Sequence, residues 1–170
     1  MFFSRNLAVF TLLSFVIICH AYRHVPNPNA KDVDLQQQNT IASHNKARAE
    51  VGVGPMTWNA TLAAYAQDYA NQRAKDCAMQ HSSGPYGENL AAGYGRMSGP
   101  DATAYWLTEK DNYDYATNSC VGDDVCGHYT QIVWRDSVRL GCGSVQCEDG
   151  YVFVICSYDP PGNYVGQRPY

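Results

Sequence analysis

Cysteine spacing restricts the fold of this chain more than any other feature of its sequence. Seven cysteines are present, and all but Cys19 lie between positions 77 and 156. Six cysteines are an even set. In a chain that enters an oxidising compartment, they predict three disulfides that cross-link the fold. Six cysteines permit many pairings, so the strand pattern around them has to narrow the choice.

The last third of the chain predicts a β-hairpin that determines one of these pairings. The segments "VRLGCGSVQC" and "YVFVICSY" have a period of two and flank Glu148-Asp149-Gly150, a three-residue connection that ends in glycine. A turn centred on Asp149 places Cys142 directly opposite Cys156, at roughly the Cα separation that a disulfide needs. The register therefore predicts this bridge directly.

The other four cysteines are less restricted by the residues around them. Cys147 lies on the opposite face of its strand from Cys142 and must pair elsewhere. Cys120 and Cys126 enclose "VGDDV" and could close a small loop, which would leave Cys77 for Cys147.

Residues 1–21 have the layout of a secretory signal peptide. Arg5 precedes an apolar run from Leu7 to Ile18, and a small residue, Ala21, ends the segment. The run is shorter than the ~20 residues that a membrane-spanning helix needs. We expect cleavage after Ala21, no membrane anchor, and secretion.

Charge and length restrict the partners and the number of domains. Removing residues 1–21 takes away one cation and no acid, which leaves eleven Lys and Arg against sixteen Asp and Glu, a formal charge of −5. This acidic balance argues against nucleic acid as a partner. Residues 22–34 hold two prolines and no apolar period, so an extended arm is predicted there, followed by one domain over 35–170. We expect a monomer.

Four helices are predicted ahead of the hairpin or leading into it. The clearest begins at Asn59, where apolar residues recur at helical spacing. The segment from Gly84 to Gly99 is rich in glycine and is predicted to be mostly loop. The other three helices are predicted at Leu35–Gly52 with Asp34 as N-cap, from Gly99 through Tyr113, and at His128–Trp134.

Polar residues that could carry chemistry are few. His44 lies inside the first predicted helix, where a structural role in hydrogen bonding is favoured. Glu109 is predicted to share a helix face with Tyr105 and Trp106, and a glutamate on a buried face needs a partner. An internal salt bridge would provide that partner, and so would a cluster with a histidine that could hold a metal.

Sequence signatures of catalysis are missing. There is no Gly-x-Ser-x-Gly elbow, no HExxH zinc motif and no phosphate-binding loop, and six paired cysteines leave no thiol nucleophile. We therefore expect no enzymatic activity and no required cofactor. Asn59-Ala60-Thr61 is a glycosylation sequon, although Asn59 would also serve as a helix N-cap.

Four motifs together resemble the CAP superfamily of cysteine-rich secretory proteins, antigen 5 and pathogenesis-related 1 proteins. They are "HNKAR" (44–48), "GENL" (87–90), "GHYTQIVW" (127–134) and "VICSYDPPGNYVG" (154–166). Their order and the six cysteines match the family over roughly 35–170. Details such as "VGVGPMTWN" and the ending "GNYVGQRPY" are similar to its plant pathogenesis-related 1 branch.

The resemblance implies a fold and a cleft. The fold is α+β, an α-β-α sandwich with a three-stranded antiparallel sheet between helical layers. It implies the pairings Cys77–Cys147, Cys120–Cys126 and Cys142–Cys156. The cleft would hold two histidines and two glutamates. They are His81, Glu88, Glu109 and His128, which are candidate ligands of Zn²⁺.

The resemblance also implies a defence function outside the cell. The apoplast is favoured over the vacuole because no vacuolar extension follows Tyr170. The first expectation is an antimicrobial, antifungal protein that binds a sterol or lipid on an aromatic surface formed by Tyr105, Trp106, Tyr113 and Tyr115. The competing interpretation of these rings is that they belong to the core. The alternative is a metal-dependent hydrolase that uses the His/Glu cleft. A further expectation is cleavage between Asp159 and Pro160, which would release Pro160–Tyr170 as a defence-signalling peptide. The competing interpretation is that this tail packs as a surface strap.

Overall fold

A computed structural model describes residues 28–170 of the chain. The predicted signal peptide and the first part of the predicted arm lie outside the described residues. The elements in chain order are α1 (Pro28–Glu50), β1 (Thr57–Trp58), α2 (Ala60–Gln72), β2 (Gly87–Tyr94), α3 (Gly99–Leu107), a 3₁₀ helix (Thr108–Asn112), β3 (Tyr113–Asp114), β4 (Ser119–Cys120), α4 (Gly127–Ile132), β5 (Arg139–Gln146) and β6 (Tyr151–Asp159).

The central sheet has the strand order β1-β5-β6-β2. Its three long strands are antiparallel, as predicted, and the two-residue β1 adds a short parallel edge to β5. The hairpin register is confirmed, because Cys142 pairs with Cys156 across β5 and β6. A separate small hairpin joins β3 to β4.

Side-chain alternation along the sheet produces two cores, one on each face. On one face, Leu90, Phe153 and Ile155 pack with Ala66 and Ala70 of α2. The opposite face packs against α1, α3 and α4, in a cluster that includes Ala47, Trp106, Tyr129, Leu140, Val154 and Tyr158. The predicted α-β-α sandwich is confirmed. Across residues 28–170, no helix combines the length and the apolar content needed to cross a bilayer.

Helix α1 begins at Pro28, seven residues before the predicted start at Leu35. The expectation of an extended arm is therefore wrong for residues 28–34. Proline suits the first turn of a helix, where its missing N–H would have no partner. Residues 31–36 are exposed, so this turn needs no apolar stripe and the sequence shows none. Asp34, predicted as the N-cap, instead accepts a bond from Gln38 Nε2 within the helix.

Strand β2 occupies a segment that was predicted to be mostly loop. It pairs with β6 along its whole length, from Gly87 opposite Tyr158 to Tyr94 opposite Tyr151. Glycine and alanine supply half of its residues, and these small residues have weak strand propensity on their own. Pairing with the apolar β6 therefore decides the conformation of this segment.

Three disulfides cross-link different parts of the fold. Cys77–Cys147 ties the end of α2 to the hairpin turn, Cys120–Cys126 closes a short loop, and Cys142–Cys156 crosses β5 and β6 with its Cα atoms 4.1 Å apart. All three pairings agree with the expectation. Three bridges in a domain of this size suit an extracellular protein.

Two glycines of β5 set the distance between the sheet and α2. A Cβ added at Gly141 or Gly143 would overlap the backbone of α2, at Ala63 and Gln67 respectively. Backbone atoms cannot move aside as a flexible side chain can, so the helix would have to lift from the sheet.

We predict that Gly143→Ala lowers the free energy of unfolding by about 3 kcal/mol, measured by urea denaturation. Gly54→Ala is the control, because an added Cβ there meets no atom within 4 Å. Equal losses in both variants would show that the helix–sheet contact is not the cause.

Candidate functional site

His128 and Glu109 form the first of two His/Glu pairs. His128 lies at the start of α4, and its Nδ1 is 2.6 Å from Glu109 Oε1. The other carboxylate oxygen accepts the backbone N–H groups of His128 and Tyr129 at 2.9 and 3.2 Å. Glu109 therefore caps the helix end where backbone donors lack partners, and it orients the imidazole at the same time.

His81 and Glu88 form the second pair, between the segment after α2 and the edge strand β2. His81 Nδ1 lies 3.2 Å from Glu88 Oε2, which also accepts the Ser82 N–H at 2.9 Å. The Ser82 hydroxyl donates to Glu88 Oε1, and Tyr65 lies 2.7 Å from the Ser82 oxygen. The Glu88 side chain is 4% exposed, while that of His81 is 62% exposed. This glutamate is thus fixed from several sides beneath an accessible histidine.

The structure brings the four predicted cleft residues together as two pairs and not as one four-ligand cluster. Within residues 28–170, the one group of three metal-type side chains with converging ligand atoms is Cys77, Cys147 and Asp149. Its two cysteines are joined in a disulfide, so they cannot act as thiolate ligands. The donor types of the His/Glu pairs suit Zn²⁺, but their positions here do not form a tetrahedral site.

The aromatic surface predicted for sterol binding does not form as one open face. Trp106 is fully buried, and its Nε1 donates to the Leu90 carbonyl at 2.9 Å. Its ring stacks on the His128 imidazole, with centroids 6.1 Å apart. Tyr105 is 59% exposed, so Tyr105 and Trp106 do not share one face as predicted. Trp106 supports the cleft from inside and cannot contact a ligand at the surface.

Tyr113 and Tyr115 are also engaged within the protein. Tyr113 donates to Asn118 Oδ1 at 2.7 Å and packs against Tyr170, with ring centroids 6.2 Å apart. The Tyr115 ring stacks on the Tyr170 ring at 5.0 Å. Glu109 itself lies in the 3₁₀ helix that follows α3, where the predicted α-helical spacing no longer applies.

A buried hydrogen-bonded chain connects the cleft to α1. Asn89 Nδ2 donates to the His128 carbonyl at 3.0 Å and to the Tyr158 hydroxyl oxygen at 3.1 Å. The Tyr158 hydroxyl donates to His44 Nε2 at 2.9 Å, and His44 Nδ1–H donates to the Thr40 carbonyl at 2.9 Å. The structural role expected for His44 agrees with these contacts.

Burial controls the protonation of the two titratable groups in this hydrogen-bonded chain, His44 and Tyr158. It lowers the pKa of His44 from 6.5 to about 4, and the nearby Arg48 charge adds to the shift, while the bond to the Thr40 carbonyl opposes it. Burial also raises the pKa of Tyr158 well above its ordinary value. Both groups are therefore neutral at pH 7, as the alternating donors and acceptors of the chain require.

Arg48 is the second buried anchor beneath the cleft. Its guanidinium donates to the carbonyls of Ile132 and Trp134 at 2.9 and 2.7 Å, to Arg135 at 3.2 Å, and to Gly54 at 2.7 Å. Three of these carbonyls lie at or just beyond the end of α4, where helix carbonyls lack partners. Burial lowers the pKa of Arg48 to about 10, so it remains charged at neutral pH.

Sequence reasoning missed several residues that hold this site in place. Arg48, Asn89, Gln131 and Tyr158 are each at most 2% exposed and hydrogen-bonded, yet none was predicted as a site residue. Each belongs to one of the four motifs, so the motifs were the available signal. Asn59, the predicted glycosylation residue, is partly exposed and caps α2 by accepting the Leu62 N–H at 3.0 Å. Its glycosylation stays a prediction.

Comparison with known proteins agrees with the fold and the motifs. The family model described as "Cysteine-rich secretory protein family", or CAP, matches residues 41–158. The chain belongs to this family. It is 53% identical over 158 residues to the basic form of pathogenesis-related protein 1 from Nicotiana tabacum, covering 93% of this chain and 84% of that protein. It is 60% identical over 137 residues to pathogenesis-related protein 1A1 from Solanum lycopersicum, covering 81% and 78%.

Solved CAP structures share the architecture. The venom allergen-like protein 4 of Schistosoma mansoni superimposes with a TM-score of 0.60 at 30% identity, covering 79% of this chain and 93% of that one. The structure of NaASP2 with Zn²⁺ superimposes with a TM-score of 0.64 at 24% identity, covering 79% and 84%. The second likeness concerns the fold alone.

The buried neutral His44 predicts a loss of stability in acid. Its folded-state pKa lies below the unfolded-state value, so the unfolded chain binds the extra proton as pH falls from 6.5 to about 4. Over this window the free energy of unfolding should fall by about 3 kcal/mol from this group alone.

Thermal or urea unfolding between pH 7 and 4 measures this loss. We expect His44→Gln to flatten the slope, and His81→Gln, a change at a 62% exposed side chain, to keep it. The same slope in wild type and His44→Gln would contradict the assignment to His44.

Proposed function

We propose that this CAP protein acts in plant defence outside the cell, in the apoplast, by binding a sterol or another lipid and so opposing microbial growth. Its identity to pathogenesis-related proteins of tobacco and tomato supports the defence role. The three disulfides support an oxidising, extracellular location. The observation that carries the ligand class is a cavity lined in part by apolar side chains.

The cavity lies between α1 and the sheet and has a volume of about 370 Å³. Cys142 and Val154 lie in the sheet strands that border it, Trp58 lines it from β1, and Val33 lines it from α1. Polar groups come from Asp32, Gln36, Gln37, Thr40, Gln67 and Ser144. Apolar side chains beside polar groups that can orient a ligand, in a volume of this range, are typical of small-molecule sites. The proposed lipid site is therefore this cavity and not the surface around Trp106.

Val33→Asp tests the cavity. Val33 is 54% exposed, so the change should cost little stability, but it places a charge where an apolar ligand would lie. In titrations with fluorescent ergosterol, a plant sterol and a fatty acid, we expect the affinity to fall roughly ten-fold or more.

Val121→Asp is the matched control, since Val121 is 50% exposed and does not line the cavity. Equal weakening in both variants would place the ligand elsewhere. No binding of any of the three lipids to wild type would remove the lipid proposal.

Metal-assisted hydrolysis is the alternative, and one observation favours a metal at the cleft. Among the hydrogen bonds of residues 28–170, none uses Nε2 of His81 or His128, so each imidazole keeps one ring nitrogen for a ligand. The two pairs would have to approach each other to share one ion, so we propose at most weak Zn²⁺ binding. No described serine or threonine contacts either imidazole as a nucleophile would.

Calorimetry with Zn²⁺ tests the metal. We expect a weak heat at neutral pH that fades in acid, because protons compete for imidazole nitrogens. His81→Ala and His128→Ala should each abolish it. The same heat in both variants, or none in wild type, would remove the metal site and the hydrolase with it.

We also propose that the chain is the precursor of a defence-signalling peptide, Pro160–Tyr170. Strand β6 ends at Asp159, and residues 160–170 form no helix or strand. Asp159 is partly exposed and Pro160 is exposed, so a protease can approach the bond. The tail is packed and hydrogen-bonded as a strap, so release of the peptide requires these contacts to break.

Mass spectrometry of extracellular fluid from infected tissue tests the release. We expect a fragment that begins at Pro160, and a defence response to the synthetic peptide at concentrations at which a scrambled peptide gives none. Recovery of the intact C-terminus alone, together with an inert synthetic peptide, would refute the signalling role.

A further inference from the structure

The last eleven residues of the chain lie in a groove whose walls come from the rest of the domain. We call it the tail groove and define it by Tyr113, Tyr129, Gln131, Trp134 and Ser137. Gln131, Trp134 and Ser137 lie on α4 and on the turn that follows it. Three of the five are at most 2% exposed, and Trp134 is 3% exposed, so most of the groove lining is shielded from solvent while the tail is in place.

Buried polar side chains hold the start of the tail. The Ser137 hydroxyl donates to the Pro160 carbonyl at 2.7 Å and accepts from Gln131 Nε2 at 3.0 Å. Gln131 Oε1 accepts the Gly162 N–H at 3.0 Å. Gln131 is 2% exposed and Ser137 is fully buried. Without the tail, both would lose a hydrogen-bond partner, which is costly for a buried polar group.

Aromatic packing covers the next part of the tail. The backbone at Gly162 lies directly over the Trp134 indole, because an added Cβ would be 2.6 Å from Trp134 Cγ. The Tyr164 ring packs against the same indole, with centroids 6.1 Å apart. Asn163 Nδ2 donates to the Gly127 carbonyl at 2.8 Å. The groove therefore requires glycine at position 162, because a side chain there would overlap the Trp134 indole.

Backbone and guanidinium contacts hold the end of the tail. The Arg135 N–H donates to the Pro169 carbonyl at 2.7 Å, and Asn118 Nδ2 donates to the Gln167 carbonyl at 3.1 Å. The Arg168 guanidinium donates to the carbonyls of Tyr115 and Ala116 and lies 4.8 Å from the Tyr115 ring centroid. The tail is thus held along its length and not at one point.

Cutting the chain before Pro160 leaves all of these contacts in place. Hydrolysis adds water across the amide, with hydroxyl going to the Asp159 carbonyl carbon and the proton to the Pro160 nitrogen. Proline has no backbone N–H, so no hydrogen bond from that nitrogen is lost. The Asp159 oxygen that accepts the Val138 N–H at 3.2 Å becomes a carboxylate oxygen and can still accept.

We propose that the tail groove is a peptide-binding site that keeps residues 160–170 bound after the Asp159–Pro160 bond is cut. Displacement from the groove, and not hydrolysis, then sets when the peptide leaves. The ligand class is a glycine-containing, aromatic C-terminal peptide, supplied by this chain itself. The biological setting rests on the proposed release of this peptide, while the binding site does not.

An engineered cut tests the groove. A recognition sequence for a site-specific protease is inserted between Asp159 and Pro160 of the full-length protein, which is folded and then cut. Size-exclusion chromatography with mass spectrometry follows the peptide. We expect it to elute with the protein, and to exchange with excess labelled Pro160–Tyr170 but not with a scrambled peptide.

Two variants and one control locate the contacts. Gln131→Leu should release the peptide about ten-fold faster, since the Gly162 N–H loses its acceptor. Gly162→Ala changes only the tail, so it should speed release even if Gln131→Leu folds poorly. Gln38→Leu is the control because Gln38 bonds Asp34 and not the tail, and we expect wild-type release from it.

Separation of the peptide from the wild-type protein during a single column run, as fast as from Gly162→Ala, would overturn the proposal. Because the cut is engineered, this result does not depend on whether the plant cuts the bond. A failure to find the natural fragment would refute peptide signalling and leave the groove intact.

Discussion

The buried guanidinium of Arg48 is the contact on which the candidate site depends. It satisfies three carbonyls at the end of α4 and a fourth at Gly54, so it fixes a six-residue helix that could not be stable alone. His128 is the second residue of that helix, and Gln131 near its end binds the tail. A buried charge without such partners would be strongly destabilising. Arg48 therefore joins the cleft and the tail groove to α1 through one side chain.

Glu109 binds the backbone groups at the other end of α4. It accepts two backbone N–H groups there and holds the His128 ring, while Asn89 holds the His128 carbonyl from β2. Both carboxylates of the His/Glu pairs are thus engaged by the fold as well as by a histidine. These hydrogen bonds to the backbone fix the position of each carboxylate.

The features that depend on local pattern could be predicted from the sequence. The alternation around Asp149 is enough to set the hairpin register, because a shift by one residue would turn every apolar side chain outward. The motif resemblance was enough to name the residues of the two His/Glu pairs. The distances between these side chains could not be predicted from the sequence, because they depend on where β2 and the 3₁₀ helix lie. Strand β2 was missed because its small residues need β6 beside them. The sequence left Trp106 open between a ligand surface and the core, because an aromatic stripe has the same period in both.

The three disulfides differ in how much of the fold must exist before they can close. Cys142 and Cys156 are 14 residues apart and meet as soon as the hairpin forms, whereas Cys77 and Cys147 are 70 residues apart. The longer loop carries a larger closure entropy, and its cysteines meet only when α2 lies on the sheet. Oxidation of Cys77–Cys147 therefore records that the two layers have docked. While this bond is intact, the end of α2 stays covalently attached to the hairpin turn, so α2 cannot separate from the sheet at that end.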